Sequence, residues 1–436
     1  MDQNLLIGIL GIVLLIILMF LRQWVSVVML FIGIVGLGIV NGFPNALNIA
    51  GTLPYSQAAN FSLACIPTFV FMGCMISISG IGADLYDAAS KWLSRVRGGL
   101  AIATVVACGF FAAICGDSVA TAVTFGKVSF PEMRRHGYKS SFAAASIVSG
   151  GTIGIMIPPS VGFIIYGILT EQSIGKLFMA GFIPGISQVL FYAVTIYIVC
   201  RMRPEYAPTT QSYPFKEKLK STRLIIPVIV IFLFIMGGIY GGFFSATEAG
   251  AMGAVAVLVV GFIMRRLDIK KCGSALQESL LTSGMVFFII ISAFFFLRFI
   301  TATGLAQKLS EIIIEFQATY NVPSVVIVII IALFYLITGC FLDALAVILL
   351  TLPIIFPIVM ALGYDPIWWG VIMVRLLETS MITPPFGLNL FVLSKAINHP
   401  LEDIYKGVAP FIVSDVLHIT LLIAVPQLSL LLPNMM

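Results

Sequence analysis

Charge is the scarcest property of this sequence. Of its 436 residues only 10% are Asp, Glu, Lys or Arg, against 60% hydrophobic. Soluble domains carry about 25% charged residues, so the composition excludes a water-soluble enzyme and points to a chain that crosses a membrane many times. The net charge of +5 follows from a few loops and gives no reason to expect nucleic acid. Histidine occurs three times, and the seven cysteines (65, 74, 108, 115, 200, 272 and 340) form no Cys-x-x-Cys pair. No zinc or haem site is therefore expected, and the cysteines read as small packing residues. A phosphate-binding loop is missing too. Gly126-Lys127 and Gly175-Lys176 are followed by apolar residues rather than Ser or Thr, which argues against ATP-driven work. No His-Glu-x-x-His or Gly-x-Ser-x-Gly segment occurs, which argues against a membrane hydrolase. The chain is not read as an enzyme, and no cofactor is expected beyond coupling ions. The first apolar run, Leu5 to Leu21, follows Asp2 without a basic lead-in; it reads as a retained transmembrane helix.

What is abundant is apolar sequence. Candidate spans lie near 5–21, 25–40, 62–79, 140–170, 177–199, 224–240, 247–264, 277–297, 366–396 and 408–433, which gives an all-α polytopic fold. The run 140–170 is too long for one straight crossing and is expected to break at Gly150-Gly151 and at Pro158-Pro159; the run 366–396 breaks at the matching Pro384-Pro385. Segments 99–133 and 323–361 are apolar with an interruption in the middle. They read as re-entrant hairpins with tips at Cys115-Gly116-Asp117-Ser118 and Phe341-Leu342-Asp343. Helix breakers and carboxylates are costly at bilayer depth unless they line a cavity, and cavities of this kind serve transport. Ala83 to Val96 and Leu305 to Phe316 alternate aliphatic and charged residues at helical spacing and are expected in the interface plane. Gly241-Gly242 followed by Ser245 and Glu248 predicts a tight turn and a capped helix start.

The two interrupted stretches are copies of one another. At an offset of 226, Asp117 meets Asp343, Phe130-Pro131 meets Phe356-Pro357 and Gly137-Tyr138 meets Gly363-Tyr364. Pro158-Pro159 then meets Pro384-Pro385, Gly181 meets Gly407 and Pro184 meets Pro410, without a gap. Matches that fall on helix breakers and an acid indicate an internal repeat. Topology follows from the basic residues. Twenty Lys and Arg cluster at 22, 91–97, 127–139, 201–223, 265–271 and 395–406, whereas the opposite loops hold only Lys176, Arg298 and Lys308. The first group is placed in the cytoplasm, which puts both termini outside. Hairpin 99–133 then enters from the cytoplasmic side. Hairpin 323–361, flanked by Glu311, Glu315 and Asp365, enters from the outer side. Five full crossings plus one hairpin make each repeat odd, so the second is inverted. Repeat 1 covers 1–200, a cytoplasmic linker with Lys216, Lys218 and Lys220 near anionic lipid covers 201–223, and repeat 2 covers 224–436.

Several residues are candidates for ion binding. Hard cations need several oxygens in a small cage. Gly116, Asp117 and Ser118 at the first tip, with Ser149, Gly151 and Thr152, supply one set; Phe341 and Asp343, with Thr379, Ser380 and Thr383, supply the other. Asp117 also reads as an N-cap. Arg375 is the one basic residue inside a span; it pairs with Glu378 one turn on, or meets an anionic substrate. Ser118, Pro159, Ser160, Pro385, Gly387 and Asn389 lie at the breaks, where half-helix N-termini face a carboxylate, and complete the substrate candidates.

Four segments carry a family resemblance: Gly154 to Ser160, Lys176 to Gly185, Tyr240 to Glu248, and Glu378 to Asn389. Through them nearly the whole chain resembles the large membrane subunit of tripartite ATP-independent periplasmic (TRAP) transporters. Two features depart from the family pattern. The first tip usually reads Ser-Gly-Ser-Ser, and Arg22-Gln23 stands where a Gly-x-Pro motif is common. The resemblance implies sodium-coupled uptake of an organic acid, a dicarboxylate or sugar acid, by an elevator movement in the bacterial inner membrane. It also implies a small four-helix membrane subunit and a periplasmic substrate-binding protein as partners. A related two-hairpin sodium/anion symporter without a binding protein is the alternative expectation.

Overall fold

The computed structural model of the chain describes residues 3–21, 23–208 and 213–436, whose regular structure is entirely helical. The basic position at 22 and residues 209–212 of the expected linker lie outside the described residues. In order, the helices are α1 (Gln3–Phe20), α2 (Val25–Asn41), α3 (Phe43–Ala58), α4 (Cys65–Ile78), α5 (Ile81–Leu93), α6 (Gly99–Cys115) and α7 (Ser118–Arg135). They continue as α8 (Ser140–Met156), α9 (Val161–Thr170), α10 (Ile174–Met202), α11 (Phe215–Tyr240), α12 (Ala246–Ile263), α13 (Ile269–Thr303) and α14 (Leu305–Tyr320). The last are α15 (Ser324–Phe341), α16 (Ala344–Ala361), α17 (Pro366–Ser380), α18 (Leu388–Ile397), α19 (Leu401–Ala424) and α20 (Gln427–Leu430). Nine described helical stretches are long and apolar enough to cross a bilayer. A helix satisfies its own backbone groups, as lipid demands.

The order α6 to α10 recurs as α15 to α19. Every helix start in the second set lies within one residue of the first set shifted by 226. Both sets run helix, tight turn with an Asp cap, helix, helix, Pro-Pro break, short helix and long helix. Pro158–Pro159 and Pro384–Pro385 are both cis. A proline lacks an N–H and restricts the residue before it, so a helix cannot run through the pair. The second set packs against the first: α17 lies on α8, α9 and α10, and α19 lies on α8 and α10. Around this centre α2 packs on α13, with Gly33 against the Phe295 backbone, and α12 packs on α4, with Gly253 against Met72.

Three elements differ from expectation. The helix α8 is not broken at Gly150-Gly151 but runs unbroken to Met156. The glycines serve close packing instead: an added Cβ would lie 3.1 Å from Cys108 Sγ at Gly150 and 2.7 Å from Ala122 Cβ at Gly151. Small residues let neighbouring membrane helices approach in this way. The run 408–433 is not one span. Pro426 follows Val425, which leaves helical geometry at ψ 75, and α19 stops at Ala424. The helix α3 was not expected, because Asn45, Asn48, Thr52, Gln57 and the internal Pro54 disguise it. Elsewhere the local chemistry acts as anticipated. Ser245 and Glu248 form a reciprocal capping box at the start of α12, and the amphipathic stretches are α5 and α14.

Candidate functional site

Two tight turns build the site. At the first, α6 ends on Gly116, whose φ of 66 closes the helix with its N–H on the Ala112 carbonyl. Asp117 then caps α7: its Oδ1 accepts the Ala120 N–H at 2.6 Å, and its carbonyl accepts the Thr121 hydroxyl at 2.6 Å. At the second, Leu342 is extended and Asp343 caps α16, with Oδ2 accepting the Leu345 N–H at 3.1 Å. The two carboxylates have the same local task, which is to satisfy amides that a helix start leaves unpaired.

Each tip rests on a Pro-Pro break. A Cβ on Gly116 would overlap the Pro159 carbonyl oxygen, and one on Gly154 would lie 2.6 Å from the Asp117 carbonyl oxygen. In the second copy the Gly387 N–H donates to the Cys340 carbonyl at 3.3 Å, the Phe341 and Phe386 rings lie 5.1 Å apart, and a Cβ on Gly339 would overlap Ser380. A contact also joins the first tip to the second break: Ser118 Oγ lies 3.7 Å from Met381 Sδ.

Both tips open onto one cavity of about 700 Å³. Gly116, Asp117, Ser118 and Asp343 line it, as do Val161 and Gly162 at the start of α9. Asp117 and Asp343 are exposed there. Three helices, α7, α9 and α16, begin at the cavity wall. Their N-terminal amides carry partial positive charge. Sequence reasoning missed two ionisable lining groups, Glu278 on α13 and Lys127 on α7. In the sequence Lys127 counts only among the cytoplasmic charges, and Glu278 stands at the edge of an apolar run like many loop acids.

The other candidates lie elsewhere. Phe341, Ser149, Gly151, Thr152, Thr379, Ser380 and Thr383 do not line this cavity. Thr152 donates to the Ser149 carbonyl at 2.7 Å and meets Tyr192 OH at 3.2 Å, facing α10. Ser380 and Thr383 donate to carbonyls of their own segment, at Leu377 and Thr379. Ser160 caps α9 through the Phe163 N–H at 3.4 Å. The Pro385 carbonyl accepts the Tyr405 hydroxyl at 2.6 Å, and Gly387 opens α18 at φ 66. Asn389 is fully buried, and neither its side-chain oxygen nor its nitrogen has a partner among the described residues. Arg375 is fully buried and bonded to Asp415, His418, Thr379 and Glu378.

The geometry is that of a cavity built from paired helix ends, and comparison with known proteins identifies the family. Residues 12–428 match the family described as "Tripartite ATP-independent periplasmic transporter, DctM component". The C4-dicarboxylate TRAP transporter large permease protein DctM of Pseudomonas aeruginosa is 35% identical over 392 residues, covering 90% of each chain. The ectoine TRAP transporter large permease protein TeaC of Halomonas elongata is 32% identical, covering 86% of each. Among solved structures, the Alcanivorax borkumensis YdaH transporter shares the fold, with a TM-score of 0.57 at 13% identity over 87% of this chain and 88% of that one. The chain therefore belongs to the DctM family, the large permease component of tripartite ATP-independent periplasmic transporters.

Proposed function

We propose that the chain is the translocating subunit of a sodium-coupled importer for an organic acid. The observation that carries this reading is the shared cavity onto which both Asp-capped tips open. Its ionisable lining groups are Asp117, Asp343 and Glu278 against Lys127. Carboxylates outnumber the single ammonium, so the empty site attracts cations and repels a free organic anion. Cations bound first would cancel that repulsion. Lys127 and the starts of α7, α9 and α16 would then receive the substrate carboxylate. This order of binding is what couples the two fluxes.

The repeated element order supports an inverted pair whose hairpins and broken helices move as an elevator against the surrounding helices. The tripartite family supports a small membrane subunit and a periplasmic binding protein as partners, in the bacterial inner membrane with both termini periplasmic. The relatives' names, C4-dicarboxylate and ectoine, support a small organic acid as cargo.

The test is uptake of labelled dicarboxylates and sugar acids into proteoliposomes holding this chain with its small subunit, with the binding protein outside. Uptake is expected only down an inward sodium gradient. Equal uptake with potassium in place of sodium would end the coupling claim. Uptake that persists without the binding protein would transfer the chain to the binding-protein-independent class.

A further inference from the structure

Away from the cavity, α17, α10 and α19 enclose a group of ionisable side chains that the transport reading does not use. Arg375, Glu378, Asp415 and His418 have no exposed surface. Arg375 donates from Nη2 to Asp415 Oδ1 at 2.5 Å and from Nη1 to Thr379 Oγ1 at 3.2 Å and Glu378 Oε2 at 3.4 Å. Its Nε donates to His418 Nδ1 at 2.9 Å. A guanidinium can only donate, so His418 Nδ1 holds a lone pair. The imidazole is therefore neutral, with its proton on Nε2, 2.7 Å from Ser187 Oγ. Ser187 in turn donates to the Pro184 carbonyl at 2.9 Å.

With His418 uncharged, one guanidinium faces two carboxylates. The remaining groups packed around them are neutral: Thr152 from α8, and Gln188 and Tyr192 from α10, which bond to one another. One excess negative charge is left where no water reaches it, and an uncompensated buried charge is among the costliest features a fold can hold. Two carboxylate oxygens, Glu378 Oε1 and Asp415 Oδ2, have no hydrogen-bond partner among the described residues.

We propose that this cluster is a proton-binding site and that the proton sits on Glu378. Asp415 keeps the 2.5 Å ion pair to Arg375, and Glu378, held at the longer 3.4 Å, is the carboxylate that takes the proton. The set is then neutral: a guanidinium, a carboxylate, a carboxylic acid and an imidazole. Arg375 then joins α17 to α19 through Asp415 and His418 without leaving a net charge between the helices. The site is independent of the sodium reading and stands whether or not that reading holds.

Infrared difference spectroscopy on the purified full-length chain tests this, because a protonated carboxyl shows a C=O stretch that shifts on deuterium exchange. The wild-type chain at neutral pH is expected to show a band that Glu378→Gln removes and that the double variant Asp117→Asn, Asp343→Asn leaves in place. Asp415→Asn is expected to remove the band as well, because Glu378 becomes the sole carboxylate partner of Arg375 and ionises. A band that survives either Glu378→Gln or Asp415→Asn overturns the proposal. So does its absence from the wild type, which is the result if a sodium ion stands in the proton's place. If Glu378→Gln does not fold, Asp415→Asn decides the matter, and the reverse holds if Asp415→Asn does not fold.

Discussion

Asp117 and Asp343 each hold two tasks that substitution can separate. Asparagine keeps the helix cap and removes the charge, whereas alanine removes both. Asp117→Asn and Asp343→Asn are expected to weaken sodium activation of uptake several-fold, measured as uptake against sodium concentration, with an unchanged unfolding temperature. Asp117→Ala should add a stability loss of about 1 kcal/mol, the usual worth of an N-cap. Unaltered sodium dependence in both Asn variants would remove the carboxylates from the ion site. Both acids were legible in the sequence because a carboxylate within an apolar run has few reasons to be there. The hydroxyls were not. Whether Ser380 offers its oxygen to a ligand or donates to the Leu377 carbonyl depends on a rotamer, and composition is silent on rotamers. Arg375 was visible as an anomaly, but Asp415 and His418, which engage it, lie 40 and 43 residues away in the chain.

At the level of single elements, two glycine turns differ in their surroundings, one at the first tip and one between α16 and α17. Gly116 has φ 66 and lies against the Pro159 carbonyl, whereas Gly363 has φ 82 with open space around it. Gly363→Ala is therefore expected to cost only the backbone conformational penalty, roughly 1 kcal/mol. Gly116→Ala should cost more and should abolish uptake, because the tip must shift off the break that seats it. A thermal unfolding scan of both variants beside wild type checks the order; equal shifts would show that the seating is loose. Proline breaks were readable from the sequence, since the ring's effect on the backbone is local. The glycine pair in α8 misled for the opposite reason. A glycine in a helix signals either unwinding or close approach, and the choice is made by Cys108 and Ala122 on other helices. The helix α3 escaped notice because its polar face and internal proline resemble a loop, while its start is secured by Pro44 in the first turn.

For the molecule as a whole, the proposed elevator requires the tips to change neighbours. Cys74 on α4 and Cys115 at the first tip both line the cavity, and a Cβ on Gly73 would lie 2.9 Å from the Cys115 carbonyl oxygen. A short bifunctional thiol reagent is expected to join the two cysteines and stop uptake, with Cys74→Ser resistant. Full uptake by cross-linked protein would show that α4 and the tip travel together. Repetition was the part of the architecture most open to sequence reading, because the offset needed no gap. Which helices press on which was not readable, since an all-apolar surface carries no pairing code.

The arms of the two hairpins measure 17, 18, 18 and 18 residues. At 1.5 Å per residue each arm is about 26 Å long. The molecule thus carries its own ruler, cut twice to one length. Adding a single turn to one arm would push its end about 5.4 Å past its counterpart, and the chamber between them would lose one wall while every individual helix remained sound.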